Sequence, residues 1–256
     1  MRGLQGKRVL VAGSATGIGA ATAKRLGQEG ARVYLGDINE AGVGEVAAAI
    51  NAAGGSAASG RFDLADEASI EAMVDSAVTI LGGLDGVANI AADMSRETWG
   101  RDFELVDLVP DIWEKTLKAN LLGYALIGKY AIPRMIASGG GAIVNTSSGS
   151  SWSGEPSAPA YAASKAGINS LTRHIARAYA SQGIRANTVA PGVVLTESLA
   201  AFMTDELEEK LLATCTIPRL GRADDIASTI CYLLSDDTSW VTGQAWSVNG
   251  GQAFRE

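Results

Sequence analysis

Short apolar segments with strand character alternate along this chain with longer segments of helical periodicity, and this alternation constrains the fold most strongly. Repeated strand–helix units make right-handed crossovers, which build a parallel sheet covered by helices on both faces. The sequence therefore predicts an α/β fold, a doubly wound parallel sheet of about seven strands with helices on both faces. The predicted strands are 8–13, 31–37, 56–63 (the weakest), 86–92, 141–148, 184–191 and 245–251, and the predicted helices are 18–30, 40–54, 66–81, 111–138, 160–181 and 224–235.

No linker, charge block or internal repeat interrupts the alternation, so we expect residues 1–256 to form a single domain. The longest segment that fits neither period is 193–218, which contains a short helical pattern at 204–213. Loops that follow the carboxyl ends of parallel strands form the ligand crevice in such folds. We therefore predict a substrate lid at about 193–218, with an ordinary surface excursion as the alternative.

Charge and composition exclude several classes of partner. The formal net charge is -7, and no run of Lys or Arg is present that could neutralise a row of phosphates. We expect no nucleic acid and no membrane as partners, and a cytoplasmic protein, because neither a signal peptide nor a membrane-spanning stretch is apparent. Cys215 and Cys231 have no CxxC spacing and no nearby His, so we predict buried thiols and no metal site.

A glycine-rich segment stands between the first predicted strand and the first predicted helix. Gly13, Gly17 and Gly19 in VAGSATGIG have the spacing G-x-x-x-G-x-G. Glycine permits a tight turn with positive φ and lets backbone N–H groups approach a pyrophosphate at the positive end of the helix. The segment thus predicts a dinucleotide-binding loop.

An acidic residue ends the second predicted strand. The Asp37 carboxylate, eighteen residues after Gly19, can accept hydrogen bonds from both ribose hydroxyls of an adenosine, but it would repel a 2′-phosphate. Neither the glycine loop nor Ile38 supplies a basic side chain for such a phosphate. This pattern predicts NAD rather than NADP as the cofactor. A purely structural role for Asp37, as the cap of the helix that starts at Glu40, is the alternative.

A tyrosine and a lysine are placed four residues apart on one predicted helix. Tyr161 and Lys165, in PAYAASKAG, therefore share a helix face. A phenol is a poor base at neutral pH, but a nearby ammonium and a cationic nicotinamide both favour the phenolate. We therefore predict that Tyr161 transfers the proton of an alcohol, with Lys165 lowering the pKa of the phenol.

With these motifs together, the sequence resembles the classical short-chain dehydrogenase/reductase (SDR) family, a Rossmann-fold family, over essentially its whole length. Ser148, thirteen residues before Tyr161 in GAIVNTSSGSS, matches the serine that binds the substrate oxygen. Asn120, in LKANLLG, matches the asparagine that holds a water linking the lysine to solvent. The resemblance implies a catalytic tetrad of Asn120, Ser148, Tyr161 and Lys165, although Ser147, Ser150 and Ser151 leave the serine's register open.

The resemblance also implies further contacts to NAD. Asp63 and the backbone of Leu64 would hold the adenine, and Val194 and Thr196, in APGVVLT, would orient the carboxamide. The motif that is usually NNAG reads NIAA here, from Asn89 to Ala92, and Ala12 stands where a Thr is usual. The cofactor-binding residues implied in this way are Gly13, Thr16, Gly17, Ile18, Gly19, Asp37, Asp63, Leu64, Asn89, Tyr161, Lys165, Val194 and Thr196.

The implied activity is an NAD-dependent oxidoreductase that interconverts a secondary alcohol and a ketone by hydride transfer. A non-catalytic NAD(H)-binding regulator or scaffold of the same fold is the alternative, and dehydration or epimerisation is a third possibility. A Ser-His-Asp hydrolase is improbable because the single His174 is half a helical turn out of phase with Tyr161 and Lys165. The aromatic residues Trp99, Trp152 and Phe202 suggest an apolar or cyclic substrate. Because members of the family commonly form tetramers, the resemblance also implies a homotetramer.

Overall fold

The computed structural model describes residues 1–154 and 156–254, and one parallel sheet organises them. Seven strands lie in the order β3-β2-β1-β4-β5-β6-β7, and every neighbouring pair runs parallel. The prediction of a doubly wound seven-stranded sheet is therefore confirmed, including the weakest strand, β3. The strands are β1 Arg8–Ala12, β2 Arg32–Asp37, β3 Ser56–Arg61, β4 Gly86–Asn89, β5 Gly141–Thr146, β6 Ile184–Pro191 and β7 Ala245–Val248.

Helices cover both faces of the sheet because its strands carry apolar side chains in both directions. In β1, Val9 and Val11 pack into the core beneath helices α1, α2 and α10, whereas Leu10 and Ala12 pack beneath α3, α5 and α7. The helices are α1 Gly17–Gln28, α2 Glu40–Ala52, α3 Glu67–Leu81, α4 Pro110–Leu117, α5 Gly123–Ala137, α6 Ser150–Ser153, α7 Pro159–Tyr179, α8 Glu197–Ala200, α9 Asp205–Leu212 and α10 Ala223–Leu234.

The helix predicted over 111–138 forms with an interruption. Residues Lys118–Leu122 make a π-helical turn between α4 and α5, and Asn120 lies in it with its side chain fully buried. Single π turns inside α-helices are frequent at functional sites, because the extra residue redirects neighbouring side chains. The helical period predicted the helix here but not this local change of hydrogen bonding.

The segment predicted as a lid contains two short helices rather than one. Helices α8 and α9 lie between β6 and α10, and an isolated bridge joins Val194 to Gly221 at the base of the segment. Cys215 follows α9 and is only partly buried, so the prediction of a buried thiol is wrong for it, whereas Cys231 in α10 is fully buried.

The position of the functional site follows from the topology. The chain leaves β1 in one direction to build β2 and β3 and returns to the other side of β1 to build β4 onwards. Ligands bind in such folds at this switch point, outside the carboxyl ends of the strands. Helices long and apolar enough to cross a bilayer are absent from the part of the chain that the structure describes.

Candidate active site

The glycine loop connects β1 to α1 in a conformation that depends on glycine. Gly13 has φ +87°, and a Cβ there would collide with the backbone of Ala91 at the end of β4. A Cβ at Gly19 would collide with the carbonyl oxygen of Gly13. The loop is thus packed tightly against its own backbone and against the adjacent strand end. The N-terminus of α1, which begins at Gly17, lies on the wall of the cleft.

The tight fit at Gly19 predicts opposite effects of two Gly→Ala substitutions. Gly19→Ala should lower the free energy of unfolding by about 1–3 kcal/mol through overpacking and should weaken NADH binding, because the loop must move. Gly44→Ala lies within α2, where a Cβ meets no atom within 4 Å. We expect this control to raise the free energy of unfolding by up to about 1 kcal/mol. Urea unfolding measures the free energy of unfolding, and fluorescence titration measures NADH binding. Equal stability for the two variants would contradict the prediction.

Asp37 lies at the carboxyl end of β2, on the edge of the cleft. Its Oδ2 accepts the Ala15 N–H at 2.9 Å and its Oδ1 accepts the Asn39 N–H at 3.0 Å. The alternative role as the cap of α2 is wrong, because Asn39 is the cap residue and accepts the Gly42 N–H at 3.1 Å. These bonds hold the Asp37 carboxylate at the glycine loop and leave it lone pairs for further donors.

The cleft at the switch point has a volume of about 620 Å³ and brings together most of the predicted cofactor residues. It is lined by the carboxylates of Asp37 and Asp63 and by the glycine loop at the N-terminus of α1, groups that suit the adenosine and the pyrophosphate of a dinucleotide. Gly13 and Gly19 allow the loop to take this shape, because a Cβ at either position would collide with the protein backbone. The predicted residues on its wall are Gly13, Thr16, Gly17, Ile18, Gly19, Asp37, Asp63, Leu64 and Thr196.

Asn89, unlike these residues, does not line the cleft. Its side chain is buried within the sheet, where Nδ2 donates to Oδ1 of Asn145 at 2.8 Å. Asn145 in turn donates to Thr172 of α7 at 2.9 Å. The structure thus gives the Asn89 side chain a role in linking β4 and β5 to α7, and its predicted contact with NAD stays a prediction. The loop after Asn89 keeps its hydrogen bonds despite the NIAA sequence, because the N–H groups of Ile90 and Ala91 both donate to the Ala12 carbonyl at 2.9 Å.

Three residues of the predicted tetrad meet beside the cleft, where β5 ends and α7 begins. Tyr161 and Lys165 lie in the first two turns of α7, and Ser148 follows β5. The Ser148 side chain is a hydrogen-bonding neighbour of the Tyr161 phenol. Ser147 is instead buried and donates to the Lys165 carbonyl at 2.9 Å, which favours Ser148 in the predicted register.

The charges of this cluster are set by burial. The Lys165 side chain is 1 % exposed, and its Nζ donates to the Thr146 carbonyl at 3.0 Å. Burial lowers the pKa of Lys165 to about 7, so the amine is only partly charged near neutral pH. Burial also raises the pKa of Tyr161, while the hydrogen bond with Ser148 acts in the opposite direction. The lowering of the phenol pKa by Lys165 stays a prediction.

Asn120 is buried and does not face solvent. Its Oδ1 accepts the Asp93 N–H at 2.7 Å, and its Nδ2 donates to the Asp93 carbonyl at 3.2 Å. These two bonds attach the start of the loop between β4 and α4 (residues 90–109, hereafter the β4–α4 loop) to the π turn. Asn120 thus has a structural role in addition to the water-binding role that the sequence resemblance implies.

Tyr124 belongs to this cluster but was not among the predicted residues. It lies one turn after Asn120, is buried, and directs its hydroxyl at the carbonyl groups of Asn89 and Ala91, each at 3.1 Å. The Lys165 Nζ lies 5.3 Å from the centre of its ring and 5.5 Å from that of Tyr161. The i, i+4 spacing from Asn120 is the sequence signal that could have indicated Tyr124.

The segment after β6 closes one side of the cleft. Val194 is buried and pairs with Gly221, and Thr196 is the N-cap of α8, where it accepts the Leu199 N–H at 3.4 Å. Glu197 also reaches the glycine loop, because its carboxylate accepts the Gly17 N–H at 3.1 Å. This contact joins the predicted lid directly to the N-terminus of α1.

The aromatic residues predicted to line the substrate pocket come from three segments of the chain. Trp99 belongs to the β4–α4 loop, Trp152 to α6, and Phe202 to the turn after α8. The Arg96 guanidinium lies 5.1 Å from the centre of the Phe202 ring, so the β4–α4 loop meets the predicted lid. His174, in contrast, is exposed on α7 and packs edge-on against Tyr179, away from this pocket.

Comparison with known proteins finds reductases and dehydrogenases of similar sequence. A family model described as enoyl-(acyl carrier protein) reductase matches residues 12–253. A cis-4-hydroxycyclohexanecarboxylate dehydrogenase of Sinomonas cyclohexanicum is 40% identical over 94% of this chain and 94% of its own. A 7alpha-hydroxysteroid dehydrogenase of Clostridium sardiniense is 38% identical over 99% and 96%, and a cyclohexanol dehydrogenase of an Acinetobacter species is 35% identical over 95% and 94%.

The fold and the site define a nucleotide-binding oxidoreductase of the α/β class. The chain belongs to the short-chain dehydrogenase/reductase family, classical type, which uses nicotinamide cofactors.

Proposed function

We propose that this protein is an NAD-dependent dehydrogenase that interconverts a secondary alcohol and a ketone, with an apolar or cyclic substrate. The observation that carries the proposal is the meeting of Ser148, Tyr161 and Lys165 beside a cleft that also holds the glycine loop and Asp37. Oxidation of an alcohol needs a hydride acceptor next to the carbon and a proton acceptor next to the oxygen, and this arrangement would place both within reach of one substrate.

In the proposed reaction the bound nicotinamide supplies the hydride acceptor. Ser148 donates a hydrogen bond to the substrate oxygen and orients it, and Tyr161 removes the hydroxyl proton. In the opposite direction the Tyr161 phenol protonates the developing alkoxide. Lys165, held by the Thr146 carbonyl, would bind the nicotinamide ribose.

Two observations support NAD over NADP. Asp37 places a negative charge at the end of the cleft where a 2′-phosphate would lie, held there by two backbone N–H groups. The glycine loop and Ile38 have no basic side chain to offset that charge. The predicted substrate class is supported by the names of the relatives, since two of them act on cyclohexane rings and one acts on a hydroxysteroid.

We also propose that the chain works as one dehydrogenase domain, that 193–218 forms its substrate lid, and that four copies assemble. The Arg96–Phe202 contact supports the lid, because it joins that segment to the β4–α4 loop above the tetrad. A groove between α5 and α7 supports assembly, because Ala125, Ile132, Pro133, Ile136 and Leu171 give it an apolar lining.

A steady-state assay tests the proposed function. Formation of NADH from NAD and of NADPH from NADP is measured for cyclohexanol, cis-4-hydroxycyclohexanecarboxylate, a 7α-hydroxysteroid and, as a control, a straight-chain primary alcohol. We expect turnover of at least one cyclic secondary alcohol with NAD and much slower turnover with NADP. NADH binding without turnover of any of these alcohols would contradict the proposal and favour the non-catalytic alternative.

A further inference from the structure

A carboxylate of the β4–α4 loop lies buried at the start of the helix that carries Tyr161. Asp102 is 5 % exposed, although most of the surrounding loop is open to solvent. Its Oδ2 accepts the Tyr161 N–H at 2.9 Å, and its Oδ1 accepts the Ala160 N–H at 3.2 Å. Its backbone carbonyl accepts the Ala158 N–H at 2.8 Å. The backbone N–H groups of Ala158, Ala160 and Tyr161 thus all donate to one residue from a distant part of the chain.

Helix α7 needs this external acceptor because its own cap position provides none. The first N–H groups of a helix have no partner within the helix, and a Ser, Thr, Asp or Asn at the cap position usually binds one of them. Here the cap position is Ala158, which has no side-chain oxygen and adopts a left-handed conformation with φ 57° and ψ 49°. Pro159, at the first helical position, has no N–H to satisfy. Asp102 therefore performs from another segment the role that a cap residue normally performs.

The other end of the same loop is attached to the other catalytic helix. Asn120 binds both backbone groups of Asp93, as described above. Residues 93–102 thus span the distance between the π turn that holds Asn120 and the first turn of α7 that holds Tyr161. The segment between these two anchors carries Arg96 and Trp99, which contribute to the predicted substrate pocket.

We propose that Asp102 is a positioning residue for the dehydrogenase reaction, an inference that rests on the proposed function. Its carboxylate fixes where α7 begins and so sets the position of the Tyr161 phenol relative to Ser148 and the substrate oxygen. Its negative charge also suits the positive end of the helix. Because the same residue ends the 93–102 segment, formation of the substrate pocket and placement of the catalytic tyrosine depend on one contact.

The test compares kinetics and cofactor binding in matched variants. We expect Asp102→Ala to lower kcat for the alcohol by about 10- to 100-fold, since small displacements of a catalytic group cost up to about 10²-fold. The Kd for NADH should change much less than kcat, because most of the predicted cofactor-binding residues line the cleft outside α7. Asp102→Asn keeps one acceptor oxygen and should recover most of the lost kcat. Asp85→Ala is the control, because Asp85 accepts the Arg8 N–H at 2.9 Å at the opposite end of the sheet.

Asp85→Ala should reduce stability without the fall in kcat. An unchanged kcat in Asp102→Ala, or equal losses of kcat in the Asp102 and Asp85 variants, would overturn the proposal. A loss of NADH affinity as large as the loss of kcat would also overturn it, because it would indicate a general disturbance of the fold. If Asp102→Ala does not fold, Asp102→Asn and Asp85→Asn are compared by the same criteria, with a several-fold loss of kcat expected only for Asp102→Asn.

Hydrogen exchange gives a readout that does not need turnover. In the unliganded protein, we expect the amides of Ala160 and Tyr161 to exchange faster in Asp102→Ala than in the wild type, and to be unaffected in Asp85→Ala. An unchanged exchange rate at these two amides would overturn the proposed anchor even if the wild type oxidises alcohols. Faster exchange in a protein that oxidises none of the alcohols would leave the anchor in place and count against the proposed function.

Discussion

Tyr161→Phe is expected to lower kcat for oxidation of a secondary alcohol by about 10²–10⁴-fold, the usual contribution of a positioned acid or base. The substitution removes one oxygen and keeps the ring, so the contacts of the first turn of α7 remain. NADH affinity and the free energy of unfolding should change little. Steady-state kinetics, fluorescence titration of NADH and urea unfolding measure these three quantities on the same preparation.

The pH dependence of the rate provides a second signature of the phenol. Burial raises the pKa of Tyr161 in the unliganded protein, so the protonated form dominates near neutral pH. A base must be deprotonated to accept the alcohol proton, and kcat/KM for oxidation should therefore rise with pH from neutral into the alkaline range. The rise should be absent in Tyr161→Phe. Persistence of both the rate and the pH profile in that variant would show that another group is the base.

Tyr232→Phe is the matched control for the loss of a phenol oxygen. Tyr232 lies on α10, which packs on the opposite face of the sheet from α7, and its ring contacts Trp246 edge-on with 6.0 Å between the ring centres. A phenylalanine keeps that contact. Activity in this variant should equal that of the wild type, which would assign the effect at position 161 to the site and not to a loss of tyrosine as such.

The fold could be predicted from the sequence because local patterns determine it. These patterns depend on residues that are close together in sequence: strand segments rich in β-branched residues, segments of helical periodicity, and the glycine turn between β1 and α1. Together they specify a parallel sheet and its switch point. The same reasoning located Tyr161, Lys165 and Asp37, whose spacing within one helix or at the end of one strand is fixed by local geometry.

Contacts between distant segments were not predictable in the same way. Asp102 binds the start of α7 from 59 positions before Tyr161, and no local pattern indicates such a cap. Asn89 was assigned to the cofactor because of its motif, and nothing in that motif indicated that its side chain binds Asn145, 56 positions later in a neighbouring strand. The alternative role of Asp37, as the cap of α2, is wrong because Asn39 is also a good cap residue and stands directly before the first residue of the helix.

The second large effect is expected for cofactor choice. Asp37→Asn should lower the ratio of kcat/KM with NAD to kcat/KM with NADP by about 10²-fold. A carboxylate about 5 Å from a phosphate charge costs about 3 kcal/mol at an effective dielectric constant of ~20, which corresponds to about two factors of ten. The asparagine keeps an acceptor oxygen for the Ala15 N–H, which Asp37 holds at 2.9 Å, so the glycine loop should stay in place.

The change in the ratio should come mainly from faster turnover with NADP, because the repulsion is removed while one acceptor for the NAD ribose remains. Asp75→Asn removes the same charge from an exposed position on α3, where Asp75 pairs with Arg134, and serves as the control for net charge. Initial rates with both cofactors, measured at two ionic strengths, separate local from long-range effects, since salt screens only distant charges. If the ratio falls equally in both variants, or in neither, Asp37 does not determine the preference and the assignment of NAD loses its support.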